Sequence, residues 1–109
     1  MSYDSGLVQR VQDALSRVGE RSYREKNVFG GRGFLIGSTT FAIVWDTKLI
    51  VKAPPEDYAA LLSEPGITPF APDNEKPMST WLVVESDVIA DDPELAEWVG
   101  RGLRAVRRR

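Results

Sequence analysis

Three glycines fall within four positions of the stretch VFGGRGFLIG at 28–37, and Arg32 stands among them. Glycine-rich loops can cradle phosphate, so the spacing needs a decision. A Walker loop needs a lysine and then a hydroxyl residue directly after its last glycine, and that pair is not here. Gly31, Gly33 and Gly37 imitate a loosened dinucleotide fingerprint. That fingerprint lies between a strand and a helix, so that the helix N-terminus meets the pyrophosphate. Here the glycines run into the strand formers Phe34, Leu35 and Ile36. Glycine within a strand marks a bulge, a bend or a close approach of backbone. On this reading Gly30-Gly31 turns the chain from the first helix into a sheet, and Phe29 and Phe34 anchor the core on either side. Arg32 is then solvated or paired with a carboxylate, and it stays a candidate interaction residue.

Four other features could carry chemistry. Lys52 ends an apolar strand and breaks its pattern. A desolvated lysine can act as base or nucleophile, whereas a lysine whose stem lies along apolar surface keeps its ammonium in water. The stretches PPEDY and DDPELAE cluster carboxylates. Converging oxygens could hold magnesium or calcium, and paired carboxylates could serve glycoside hydrolysis. Carboxylates at the starts of helices need neither explanation, because they complement the dipole. Trp81 begins a strand and is expected to be partly exposed. The tail RGLRAVRRR, residues 101–109, holds Arg101, Arg104, Arg107, Arg108 and Arg109. Such a run can neutralise nucleic-acid phosphates, or it can be a frayed helix end kept soluble by charge.

Composition narrows these options. The chain contains no histidine and no cysteine. That removes the commonest general base, serine–histidine triads, cysteine nucleophiles, disulfides and the usual zinc ligands. No cofactor and no metal is expected. The net charge of −2 hides an uneven distribution. Residues 33–100 carry three lysines against twelve carboxylates, and residues 101–109 carry five arginines and no acid. The acidic middle would repel a polyanion, which weighs against nucleic acid.

The elements that must position these groups are legible from periodicity. The chain has 109 residues, 42% of them hydrophobic and 28% charged, which fits one globular domain over 1–109. No apolar run is long enough to span a bilayer, and the N-terminus does not read as a signal peptide. A cytoplasmic location is therefore the expectation. Leu7, Val8, Val11, Ala14, Leu15 and Val18 follow one helical face, with Asp4 or Ser5 as cap and Gly19 as stop. Phe34–Ile36, Phe41–Trp45 and Leu49–Lys52 make an antiparallel meander turning at Gly37-Ser38 and at WDTK. A short helix follows around Tyr58, Leu61 and Leu62, started by prolines and ended at Pro65-Gly66. A loose hairpin pairs Ile67–Phe70 with Thr80–Val84, turning at Asp73-Asn74. The last helix starts with Asp92 as cap and Pro93 in its first turn, and its stripe is Leu95, Trp98, Val99, Leu103 and Val106. The order α-β-β-β-α-β-β-α predicts an α+β two-layer sandwich: a five-stranded antiparallel sheet with helices on one face.

Five segments in order carry a family resemblance: Phe29-Gly30-Gly31, Leu49 to Lys52, Gly66 to Phe70, Pro77-Met78, and Asp92 to Trp98. Together they resemble the N-terminal domain of the TfoX/Sxy family, relatives of a regulator of bacterial natural competence. Val28 stands where that family usually has methionine. The resemblance implies a two-layer domain similar to secretion chaperones and a regulatory role without established catalytic residues. The competence regulators carry a second, C-terminal domain, and the likeness here is to the first domain alone. The expectation is a non-enzymatic interaction module acting through protein contacts, with a homodimer along a sheet edge or face. A weak nucleic-acid-binding accessory protein using the tail arginines is the alternative. An enzyme using carboxylates or Lys52 is the third reading.

Overall fold

The computed structural model describes residues 3–28, 30–71 and 80–107. Helix α1 spans Ser5–Arg17. Asp4 caps it, its carboxylate accepting from the Gly6 amide at 2.8 Å. At the other end the Glu20 amide donates to the Leu15 carbonyl and the Gly19 amide to the Ser16 carbonyl. This double closure satisfies carbonyls that the helix would otherwise leave open. Leu7, Val11, Ala14 and Leu15 are buried beneath the helix. Val18 was expected to join that stripe, but it lies past the last helical turn and is 63% exposed.

The sheet has six strands rather than five: β1 (Tyr23–Val28), β2 (Gly31–Ile36), β3 (Thr39–Trp45), β4 (Lys48–Lys52), β5 (Ile67–Pro69) and β6 (Trp81–Val84). Their order across the sheet is β1-β2-β3-β4-β6-β5, antiparallel throughout. The unexpected strand is β1. Its sequence YREKNV is mostly polar and none of its residues is buried, so no apolar alternation announces it. It exists because it completes the ladder of β2 as a charged edge strand. Gly30, with φ of 79°, therefore lies in the turn between β1 and β2 and not between a helix and the sheet. Phe29, the Asp73-Asn74 turn and the Pro77-Met78 segment lie outside the described residues.

Gly31 is required by its neighbours. A Cβ there would meet the Val44 carbonyl oxygen at 2.4 Å. Opposite β2, the pairing register shifts between Phe34 and Leu35, whose partners are Ala42 and Thr40, leaving Phe41 between them. Phe34 and Phe41 are both fully buried. A short helical turn at Pro55–Asp57 leads into α2 (Tyr58–Leu62), which buries Leu61.

Helix α3 spans Asp92–Arg107. Asp92 was expected to cap it but is already its first helical residue, and the Asp91 carbonyl accepts the Leu95 amide. The Asp92 carboxylate instead holds Arg10 of α1 at 2.9 Å. Arg10 also donates to the carbonyls of Ile89 and Ala90, so it ties α1 to the segment before α3. Both helices lie on one face of the sheet, and the core between the layers includes Val11, Leu15, Phe34, Leu49, Leu82 and Leu95. On the other face Ile43, Ile50, Phe70 and Val83 form a second, smaller cluster, with Val28 and Trp81 against it. No helix among the described residues is long and apolar enough to cross a membrane.

Candidate interaction surface

The residues singled out from the sequence fall in three separate places. Arg32 lies at the β1–β2 margin on the helix side of the sheet. Its Nε donates to Glu25 at 3.0 Å and a terminal nitrogen to Asn27 at 3.3 Å. Glu25 also accepts from Gln12 of α1 at 2.8 Å. Arg32 thus helps fasten the edge strand to the first helix, a structural task. Burial, and then the Glu25 carboxylate, raise the nearby Tyr23 hydroxyl above its ordinary value, so it stays neutral at neutral pH.

Lys52 and Trp81 are cross-strand partners on β4 and β6. The Lys52 ammonium sits 5.3 Å from the centre of the Trp81 ring. Both side chains are half-buried. A cation over an aromatic face at a wet margin contributes modestly to stability and leaves the ammonium hydrated.

The described tail arginines are helical and two of them are engaged. Arg101 stacks on Trp98 at 4.4 Å and pairs with Glu97 at 3.1 Å and Glu64 at 3.7 Å. Arg107 donates to Glu20. Arg104 makes no ion pair among the described residues. Arg108 and Arg109 lie outside them. Among the described residues no group of three or more carboxylates gathers in a metal-binding cluster.

Two features were missed in the sequence. The first is Glu20, which is only 8% exposed. The hydroxyl of Ser22, donating at 2.8 Å, is the main cause holding its carboxyl below the ordinary range. Burial works against this, while the Ser22 amide and Arg107 add to the lowering. Glu20 follows a helix-stopping glycine, a place where acids are usually solvated, so nothing local distinguishes it. A lowered carboxyl gives stability that is complete above its unfolded value of about 4.3 and is lost as pH falls through the lower folded value. Glu20→Gln is expected to cost about 1 kcal/mol at neutral pH. Denaturant midpoints of the two proteins should converge as the pH falls through the lowered value of the folded carboxyl.

The second is a groove of about 360 Å³ on the helix layer, between the end of α1 and the middle of α3. Ala14, Val18, Val99 and Leu103 wall it, Ala96 and Gly100 line it on α3, and Arg104 and Arg107 stand at its rim. Nothing in the sequence signalled it, because the spacing of Val18 continues the apolar stripe of α1. Among the described residues no carboxylate, hydroxyl or amide side chain lines the groove. Such walls suit apolar contact with a polar fringe, not proton transfer.

A family model described as the TfoX N-terminal domain matches residues 13–106. No curated protein and no solved structure matches the chain.

Proposed function

The chain belongs to the TfoX N-terminal domain family, and from that premise we propose that it is a cytoplasmic regulatory module that works through protein contacts and not by catalysis. It is a module related to the competence regulators. The observation that carries the proposal is the helix-layer groove, whose walls are apolar and whose rim holds two arginines. Three of the charged side chains singled out from the sequence have partners within the chain: Arg32 with Glu25, Lys52 with the Trp81 ring and Arg107 with Glu20. The likeness to secretion chaperones that the family implies agrees with a binding role. The sheet edges are poor places for such contacts. β1 carries Arg24 and Lys26, and β5 is three residues long and ends in a proline that has no amide to donate.

Affinity capture from the native cytoplasm, followed by mass spectrometry, tests the reading. A protein enriched above a control bait is the expected result, and a purified chain that turns over a small molecule would overturn it. The nucleic-acid alternative loses force because Arg101 and Arg107 are already paired. Duplex DNA is expected to bind more weakly than about 10⁻⁴ M at physiological salt, the weak end of non-specific binding. A salt titration followed by fluorescence anisotropy checks this.

A further inference from the structure

We propose that the sheet face turned away from the helices binds single-stranded nucleic acid, stacking bases on Trp45 and Trp81 and holding phosphates with the lysines beside them. The proposal goes beyond the interaction-module reading. It uses neither the helix-layer groove nor the arginines of α3.

Strand alternation sorts the charges of the sheet. The six strands contain one carboxylate, Glu25. It lies on the helix side, held by Arg32 and Gln12. The other four cations of the strands, Arg24, Lys26, Lys48 and Lys52, all fall on the opposite face, with Ile43 and Ile50. Lys26 is aligned with Gly33, Ile43 and Ile50 across the first four strands. It therefore stands about 14 Å from the β4 row, and Lys48 and Lys52 are about 13 Å apart along β4. Arg24 and Lys26 are exposed. Residues 33–100 are acidic as a whole, yet two of their three lysines stand on this face and none of their strand residues is an acid.

The aromatic residues select the kind of polyanion. Each lysine of β4 has a tryptophan across the ladder, Trp45 beside Lys48 and Trp81 beside Lys52. Trp45 meets Phe70 edge-on and is still 37% exposed, which leaves ring surface for a base. Trp81 is half-buried against the smaller cluster. Glu85, just past β6, pairs with Lys48 at 3.6 Å. Both side chains of that pair are 37% exposed, so a phosphate can share the ammonium. A single strand presents a phosphate and a flat ring at every repeat, which is what lysine beside tryptophan recognises. An acidic peptide would bring charge without rings. A duplex keeps its bases stacked inside and offers the tryptophans none.

Fluorescence anisotropy of the full chain with a labelled oligothymidylate of about ten nucleotides, within the usual site size of a small domain, tests the proposal. At low salt the single strand is expected to bind at least about tenfold more tightly than a duplex of the same length, with a logarithmic salt slope of about −2 to −3 for three or four phosphates. Trp45→Ala should weaken binding by about tenfold while circular dichroism stays unchanged. Lys26→Gln and Lys48→Gln should each weaken it and flatten the salt slope by about 0.7. Arg104→Gln, on the helix layer, should leave it unchanged. No binding at low salt overturns the proposal, as does equal binding of the duplex or of polyglutamate. Binding that survives the three sheet variants and is lost with Arg104→Gln also overturns it, because the arginines of α3 would then be the site. Partner capture is measured separately, so failure here leaves the interaction reading standing.

Discussion

Trp98→Ala is expected to lower the stability of the fold by about 3–5 kcal/mol, the range for emptying the site of a large buried aromatic. The indole is 3% exposed and belongs to the main core. Its removal costs the transfer free energy of the ring and leaves a cavity, because α3 is held in place at several other points. Arg10 ties the segment before α3 to α1, and Gly102 seats the middle of the helix on β3. Arg101, which lies over the ring at 4.4 Å, would also lose its stacking partner. A domain of this size has about 5–15 kcal/mol in total. The variant should melt roughly 15 °C or more below the wild type. Trp45 is the control. It is 37% exposed and touches Phe70 edge-on, with centroids 6.0 Å apart. Trp45→Ala should cost only about 1–2 kcal/mol. Urea unfolding of the three proteins decides the matter, and equal losses at the two tryptophans would contradict their assigned burial.

Gly102→Ala should destabilise the chain by about 2–3 kcal/mol, against the usual preference of helices for alanine. The added methyl would lie 2.7 Å from the Phe41 carbonyl oxygen, 3.2 Å from the Phe41 ring and 3.3 Å from Val51. The oxygen belongs to backbone in a hydrogen-bonded sheet and cannot yield as a side-chain tip can. Helix and sheet must separate, and contacts along the whole of α3 loosen. Gly100→Ala should do the opposite and stabilise the fold by up to about 1 kcal/mol, because the new methyl has room and the helix gains a better former. The comparison is made by chemical denaturation of the three proteins. Opposite signs at two glycines on one helix would locate the contact between layers to a single turn. A stabilising Gly102→Ala would mean that α3 does not sit so close to β3.

Contacts between residues far apart in the chain were not legible in the sequence. Arg32 was expected to be solvated or paired with a carboxylate, but which carboxylate could not be read. Its partner Glu25 is on a strand that gave no apolar signal, so the pair was invisible until β1 had been placed against β2. Lys52 broke the pattern of its strand, and Trp81, a residue flagged separately, turned out to be its neighbour. The arginines of the last helix looked like one cluster. They are divided by the helical turn, so Arg101 meets Trp98 and Glu64 while Arg107 meets Glu20.

Features fixed by neighbours in the chain were decided by the sequence itself. The face of α1, the stop at Gly19, the hairpin turn at Gly37-Ser38 and the stripe of α3 each depend on spacing of a few residues, which periodicity and turn chemistry report directly. The family signature was legible for the same reason, since its segments are short and stand in a fixed order. Tertiary structure alone decided the rest. β1 became a strand through the ladder it shares with β2, not through its own composition. β6 came to lie between β4 and β5, an order that short-range patterns do not encode. The groove exists only because the end of α1 stops beside the middle of α3 and leaves Val18 uncovered. Periodicity says which face of an element is apolar. How much of that face is covered depends on where the neighbouring element ends, and that is settled only when the layers meet.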